Sequence, residues 1–503
     1  MIVGGPSAAE IEHLHTNLGR AYELAGEWEE ARASYESMLA HGREALEPRL
    51  QWAALSRLAV LAVQRSLDVE AGEGLLTEAL GAARESGDRS VLAETEWNLA
   101  QVATLGWEPE KALARGEGAL FLARQLGDEE LAARSLYVLA SAQAFRGSWG
   151  ECVALAGEAG AMYGRMNGRA MGAGALAMQF LWAGSPPSDA LYVRAMEANC
   201  LCLIALGQSN LGGIRAGTAA GRLALAIGRE IQNDWVVVFA SLNLSHNLLD
   251  AGEYEEALRL TQNGVESARN LPNPMTLFYM LWALGNAWQA LFGLEEARAA
   301  YRESLEVAGA VPIASHGIIM LSGLCANRSL AGDWAGAHAH ALEAVKVRAG
   351  TPSVLVWRDL WRHHEVEALL WGGDEGLARR EVTRFGERLE GNRRFRVPYL
   401  RAKALLSHRD GETGRAVEYL LEAEALAEEL GLPGEAWQVA AEAGELLEVR
   451  DEPGEATGAF RRAAAALRVL AGRVGDEGRR ACFLSAPRAR RVLDAVPGGG
   501  DAA

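Results

Sequence analysis

The sequence predicts an all-α solenoid of about eleven antiparallel helical hairpins, and three phased observations carry that prediction. Eleven positions, Ala31, Gly72, Ala112, Cys152, Gly217, Ala257, Ala297, Ala337, Ala378, Ala416 and Ala456, are separated by 41, 40, 40, 65, 40, 40, 40, 41, 38 and 40 residues, and none is larger than cysteine. Five residues before this anchor stands a glycine in seven units: Gly26, Gly147, Gly212, Gly252, Gly332, Gly373 and Gly411. Fifteen residues after it a second breaker recurs at Gly87, Gly127, Pro272, Pro312, Pro352 and Gly431. Glycine and proline cost about 1 and 3 kcal/mol inside a helix, so breakers at two fixed phases delimit two helices per unit.

Within a unit the first helix carries a large aliphatic residue thirteen positions before the anchor: Leu18, Leu99, Leu139, Ile204, Leu244, Leu284 and Leu324. The following glycine suits the left-handed position that ends a helix and turns the chain. An aromatic residue often comes two positions later, as at Trp28, Trp149, Tyr254 and Trp334. The anchor then sits in the second helix, where a small side chain allows a close crossing. Four residues on, Tyr35, Tyr301, Leu420 and Phe460 fill the space beside it. One hairpin cannot bury that face alone, whereas stacked hairpins make a continuous core.

Along the chain this gives an N-terminal block over 1–165, an irregular insertion over 166–189, a C-terminal block over 190–472, and a capping helix with a loose tail over 473–503. The insertion accounts for the 25 residues by which the Cys152–Gly217 interval exceeds the period. It holds glycines among Met162–Met171, the apolar run Ala175–Trp182 and Gly184-Ser-Pro-Pro-Ser188, read as an extra helix and loop that bend the array. The cap places Arg479, Arg480, Arg488, Arg490 and Arg491 beside Phe483, Leu484, Val492 and Leu493, an amphipathic composition.

The bulk composition excludes several classes. Half the residues are apolar and 23% are charged, which excludes general disorder. A net charge of -17 argues against direct nucleic-acid or anionic-membrane binding, since both need clustered positive charge. No apolar stretch reaches the roughly 18 to 20 residues needed to span a bilayer, the best lying near Gly172–Gly184, so a cytoplasmic protein is expected. The five cysteines, Cys152, Cys200, Cys202, Cys325 and Cys482, are read as reduced buried thiols.

Catalytic patterns are missing from the sequence. There is no Gly-x-x-x-x-Gly-Lys-Ser/Thr phosphate loop, no Gly-x-Ser-x-Gly elbow, and no glycine-rich dinucleotide turn. His338-x-His340 and His363-His364 lack a third ligand at useful spacing. No cofactor, no metal and no enzymatic activity are expected.

Leu18-Gly19-x-x-Tyr22 with Ala31-x-x-x-Tyr35, and Leu284-Gly285-x-x-Trp288 with Ala297-x-x-x-Tyr301, resemble the tetratricopeptide repeat pattern over most of residues 11–472. The unit is longer, about 40 residues against 34, and is similar to the C-terminal arrays of bacterial signalling ATPases and transcription regulators. The resemblance implies a right-handed superhelix and a sensor or regulatory arm that binds a protein or peptide partner, or a small-molecule effector, in a concave groove; a freestanding adaptor between two proteins is the alternative. It also implies which first-helix positions line that groove: Trp97, Gln101, Tyr137, Ser141, Phe239, Leu242, His246, Tyr279, Trp282, Asn286 and Gln289, then His363 and Glu367, where Glu365 replaces the consensus leucine. Asn286 resembles the asparagine with which many such arrays hold ligand backbone. Arg379, Arg380, Arg384, Arg388, Arg393, Arg394, Arg396 and Arg401, interspersed with Glu381, Glu387 and Glu390, are read as a salt-bridged surface.

Overall fold

A computed structural model describes residues 7–66, 68–166, 189–271, 274–308, 317–349, 360–387, 389 and 391–496. The insertion between Met166 and Asp189, the prolines 272, 312 and 352, Arg388, Glu390 and the last residues of the tail lie outside that set. The described residues form helices and no strand. First and second helices alternate as α1 Ala8–Ala25, α2 Trp28–Glu44, α3 Pro48–Ser66, α4 Val69–Ser86, α5 Arg89–Leu105, α6 Pro109–Leu126, α7 Glu129–Arg146 and α8 Trp149–Met166. They continue as α9 Asp189–Leu211, α10 Ile214–Glu230, α11 Asp234–Asp250, α12 Tyr254–Arg269, α13 Pro274–Ala290, α14 Leu294–Ala308, α15 Gly317–Leu330 and α16 Trp334–Ala349. The last are α17 Arg362–Trp371, α18 Glu375–Gly386, α19 Arg393–Arg409, α20 Thr413–Leu430, α21 Pro433–Val449, α22 Pro453–Gly472, α23 Glu477–Ser485 and α24 Pro487–Asp494.

Every anchor lies in a second helix and is buried. The partner of the small residue is also visible. A Cβ on Gly19 would fall 2.4 Å from the Tyr35 ring, and one on Gly285 equally close to Tyr301, so the first helix is hollowed to seat the aromatic of the second. The seven glycines before the anchors all adopt φ between 77 and 86°, the left-handed cap foreseen for them. Where the phase lacks glycine the backbone keeps the conformation: Trp107, Phe292 and Asp451 occupy it with φ of 61, 58 and 61°. After the second helix Leu46 and Gln232 likewise stand at φ 54 and 51°, in the phase of Gly87, Gly127 and Gly431. Repeat geometry overrides residue preference at these five turns.

The chain forms two compact units: 1–203 with 230–236, and 204–229 with 237–503. The core of unit 1 runs through Val63, Leu76, Trp97, Leu99, Leu136, Leu139 and Tyr163 to Tyr192, Met196 and Cys200. Helix starts there are capped as their sequences suggest: Ser7 and Glu10 form a reciprocal capping box, and Asp68, Asp88 and Asp128 accept from the first-turn amides of α4, α5 and α7. One expectation is corrected here. Ala190–Leu211 in α9 is long and apolar enough for a span, with mean hydropathy 1.4, yet 67% of that window is buried within the protein. Arg194 and Glu197, paired at 2.5 Å, interrupt the run and hide it from a search for unbroken apolar sequence.

Unit 2 closes on itself. Leu430 sits 2.6 Å from where a Cβ of Gly212 would stand, and Leu470 is 2.4 Å from that of Gly252, so turns 218 residues apart in both cases pack together. Arg473 Nη1 donates to the Ala251 carbonyl at 2.7 Å, and Arg479 Nη2 pairs with Glu255 at 2.7 Å. The cap therefore packs back into the array: Phe483 is buried against the rings of Tyr254 and Phe292, with centroids 6.1 and 5.7 Å away. Four cysteines are buried as expected, and burial pushes the Cys152 thiol up to about 12. Cys482, on the solvent side of α23, is exposed, against the expectation for it.

Candidate functional site

The arginine cluster separates into two populations. Arg379, Arg384, Arg393 and Arg396 make partly exposed pairs with Asp410, Glu381, Glu429 and Glu422, as a salt-bridged surface should. Arg394 and Arg401 instead turn inward, seven residues apart on α19 and in phase with the buried Val397 and Ala404. That phase was the signal available in the sequence. Arg394 bonds Asp250, 144 residues away, at 3.0 Å and Glu435 at 3.0 Å. Arg401 bonds Glu435 at 2.9 Å and Glu442 at 2.6 Å, and Glu442 also receives Arg488 from α24 at 2.9 Å. Burial pushes the Glu442 carboxyl up, but Arg401 and Arg488 outweigh it and hold the group at about 2.

This chain of charges walls a cavity in unit 2. About 80 Å³ remain for water centres between Asp250, Asn286, Gln289, Arg394, Arg401 and Glu435, with the rings of Tyr254, Phe292, Trp361 and Trp437 around them. A second cavity of about 320 Å³ adjoins it, sharing Phe292, Leu330 and His364 and adding Trp334, Glu367, Pro487 and Arg488. Several wall groups are buried without a bonding partner: Asn286 Nδ2, both polar atoms of Gln289, His364 Nε2 and Arg394 Nη1. Burial pulls the His364 ring below its usual range despite Glu367, and His363 lies further below, under burial and the charge of Arg401.

The groove positions inferred from the repeat are distributed unevenly. Asn286 and Gln289 line the cavity, and Glu367 lines the adjoining one. Gln101, Tyr137, Ser141, Phe239 and Tyr279 are half-buried, and Tyr279 packs edge-on against Phe278 at 5.0 Å. Trp97, Leu242, His246, Trp282 and His363 are core residues, not open groove walls. Trp97 lies under the Arg134 guanidinium at 4.4 Å, His246 packs edge-on against Trp282 at 4.7 Å, and the His363 and His364 rings lie tilted to one another at 4.2 Å. The physical reason is that consecutive first helices cover one another's inner residues: Arg134 of α7 lies over Trp97 of α5, and His246 of α11 against Trp282 of α13. Trp361, His364, Arg394, Arg401, Glu435 and Trp437 were missed, because their convergence depends on closure of the array.

Glu365 explains itself through a second buried cluster. It pairs with Arg348 at 2.9 Å, and Glu381 takes Arg348 at 2.6 Å and Arg362 at 3.3 Å, so a paired charge occupies the leucine position. His338 meets Asp374 at 2.7 Å. Among the described residues no three His, Cys, Asp or Glu side chains converge as metal ligands.

These features define an all-α, tetratricopeptide-like array of helical hairpins with a cavity in unit 2 lined by aromatic rings and paired charges. No protein-family model and no curated protein matches the chain. Among solved structures it is similar to a Rap protein complexed with competence and sporulation factor, at 13% identity and TM-score 0.49 over 84% of this chain and 99% of that one. The apo form of RapI gives 12% identity and TM-score 0.46 over 76% and 97%. A signal transduction ATPase with a tetratricopeptide repeat sensor from Pyrococcus horikoshii gives 12% and 0.38 over 86% of this chain and 51% of that one.

Proposed function

We propose that this chain is a ligand-sensing module that binds a small molecule, or a segment of a peptide or protein, inside unit 2, and that it serves as the regulatory arm of a signalling system. One observation supports the reading above others: four side chains that are almost fully buried, Asn286, Gln289, His364 and Arg394, line one cavity together with the paired charges of Asp250, Arg401 and Glu435. A buried polar atom without a partner costs about 1–3 kcal/mol, and a ligand that hydrogen-bonds to these side chains would offset part of that cost. The role is recognition and not catalysis, because the charged groups of the wall are engaged with one another. Ligand occupancy reaches the surface through Arg401 and Glu442 to Arg488 on the cap. Thermal unfolding of the full chain against mixed metabolites and short peptides tests this. A ligand-dependent rise in Tm that Asn286→Asp abolishes is the expected result, and no shift with any component overturns it.

The adaptor reading draws on a different observation. Helix α1 exposes Leu14, Leu18 and Leu24, an apolar face suited to a protein partner. Loss of partner capture in Leu14→Ser with Leu18→Ser, while ligand binding persists, would favour it.

A further inference from the structure

We propose that the C-terminal cap, α23 with α24, is a removable occupant of its seat on unit 2, and that the same seat takes a basic amphipathic helix from a partner protein. This goes beyond the cavity reading above and does not depend on it, since the seat is the face that the cap itself covers.

The cap is lightly held. Together α23 and α24 bury Phe483, Ala489 and Val492, three side chains in helices of 9 and 8 residues. The preceding helix α22 buries eight in 20. Helices as short as α23 and α24 do not persist alone in water, so their order comes from docking. The charged contacts of the cap lie at the margin, because Arg479, Arg488 and Arg491 all stay partly exposed. Ion pairs open to solvent direct a segment onto its seat more than they fix it there.

The seat has a definite chemistry. Glu442, Glu445 and Glu448 recur every three residues along one side of α21, and each meets an arginine of α24. Arg488 lies 2.9 Å from Glu442, and Arg491 lies 3.0 and 2.9 Å from Glu445 and Glu448. On α12 Glu255 receives Arg479 at 2.7 Å, and beside it Tyr254, with Phe292, forms the apolar part against which Phe483 packs. Glu442 also has Arg401. Among the described residues, the ion pairs of Glu255, Glu445 and Glu448 are all with the cap, so its departure leaves three carboxylates and two rings to be covered by something of like composition.

The occupant shows what that composition is. Residues 473–496 hold six arginines against Asp476, Glu477 and Asp494, in a chain whose net charge is -17. A competing helix needs an aromatic side chain with an arginine four residues before it and arginines five and eight residues after, the spacing of Arg479, Arg488 and Arg491 about Phe483.

A fluorescent peptide of residues 473–496 is the probe. In the full chain carrying Phe483→Ala, Arg488→Ala and Arg491→Ala the resident cap is weakened while the seat is intact. Anisotropy is expected to show the probe binding this chain at least about tenfold more tightly than the unmodified one. Adding Glu445→Gln and Glu448→Gln is expected to remove that gain, and a probe with Arg488→Glu and Arg491→Glu is expected not to bind. Equal affinity for the two chains, no binding, or binding indifferent to the carboxylates overturns the proposal. Amide exchange in the unmodified chain gives a check that needs no variant: α23 and α24 should exchange faster than α22. Exchange of the cap and α22 at one rate means that the cap leaves only when the unit unfolds, which overturns the proposal as well. The cavity reading stands or falls separately, on the ligand-dependent rise in Tm.

Discussion

The indole Nε1 of Trp361 donates to Oδ1 of Asn286 across 75 residues, at 3.0 Å, and so fixes the orientation of an asparagine that the repeat pattern had singled out. Trp361→Phe removes the donor and keeps a ring in place. One neutral hydrogen bond is worth about 0.5–1.5 kcal/mol, and Tyr301 still supplies the other partner, so a loss of about 1 kcal/mol is expected in urea unfolding. An unchanged urea midpoint would show that the Trp361–Asn286 hydrogen bond contributes nothing to the fold.

Leu46 holds φ 54° with its side chain 82% exposed, so its strain has little packing to offset it. The left-handed conformation costs an ordinary residue about 1–2 kcal/mol, and glycine's extra freedom when unfolded returns part of that. Leu46→Gly is therefore expected to stabilise the protein by about 0.5–1 kcal/mol. Phe292→Gly should do the reverse despite a similar φ, because the Phe292 ring packs against Trp437 and Phe483. A destabilised Leu46→Gly would contradict the strain account.

The fold was legible because its determinants are local and repeated. Gly26 and Ala31 are five residues apart, and the same interval returns at six further glycines, so turn and crossing are both written into short windows. Trp107 and Phe292 were illegible as turn residues, since nothing in their chemistry favours the left-handed region that the repeat imposes on them. The cavity was half legible. Asn286 and Gln289 follow from repeat phase, whereas Asp250 with Arg394 and Glu255 with Arg479 depend on unit 2 closing over 144 and 224 residues, a distance at which no periodicity pairs particular side chains.

Ala297→Phe tests the crossing itself. Ala297 is fully buried beside Trp282, Tyr301 and Leu324, so a benzyl group there must displace one of them. Overpacking of that kind costs about 1–3 kcal/mol. A thermal unfolding profile identical to that of the unmodified protein would place the anchor elsewhere in the packing.

Glu130 in unit 1 gives a pH signature. Burial pushes its carboxyl up to about 7, and Arg134 at 2.6 Å opposes the shift without cancelling it. Unfolded, the group titrates near 4.5, so between pH 4.5 and 7 the folded chain holds the extra proton. The contribution of Glu130 to stability is then greatest at low pH and is lost as pH rises from 4.5 through 7. Comparing unfolding of wild type and Glu130→Gln at intervals over that window isolates the residue. The difference should change steadily across the window and be flat outside it; a constant difference would refute the raised pKa.

Glu442 has the opposite sign and a larger structural consequence. Its carboxylate lies between Arg401 and Arg488, and its folded pKa of about 2 lies below the ordinary 4.5, so its contribution is complete above pH 4.5 and disappears as pH falls toward 2. Glu442→Gln leaves Arg401 with the Glu435 carboxylate alone and removes the carboxylate to which Arg488 donates, and unpairing a buried charge typically costs about 3–5 kcal/mol. Arg488 is partly exposed and recovers hydration, so about 2–3 kcal/mol is the expected loss at neutral pH. Glu442 is one of three carboxylates that tie α24 to α21, Glu445 and Glu448 holding Arg491, so amide exchange in Pro487–Asp494 should accelerate more than in α21, which carries the substitution. Equal acceleration in both helices would mean that Glu442 only stabilises the core and does not connect the cavity wall to the cap.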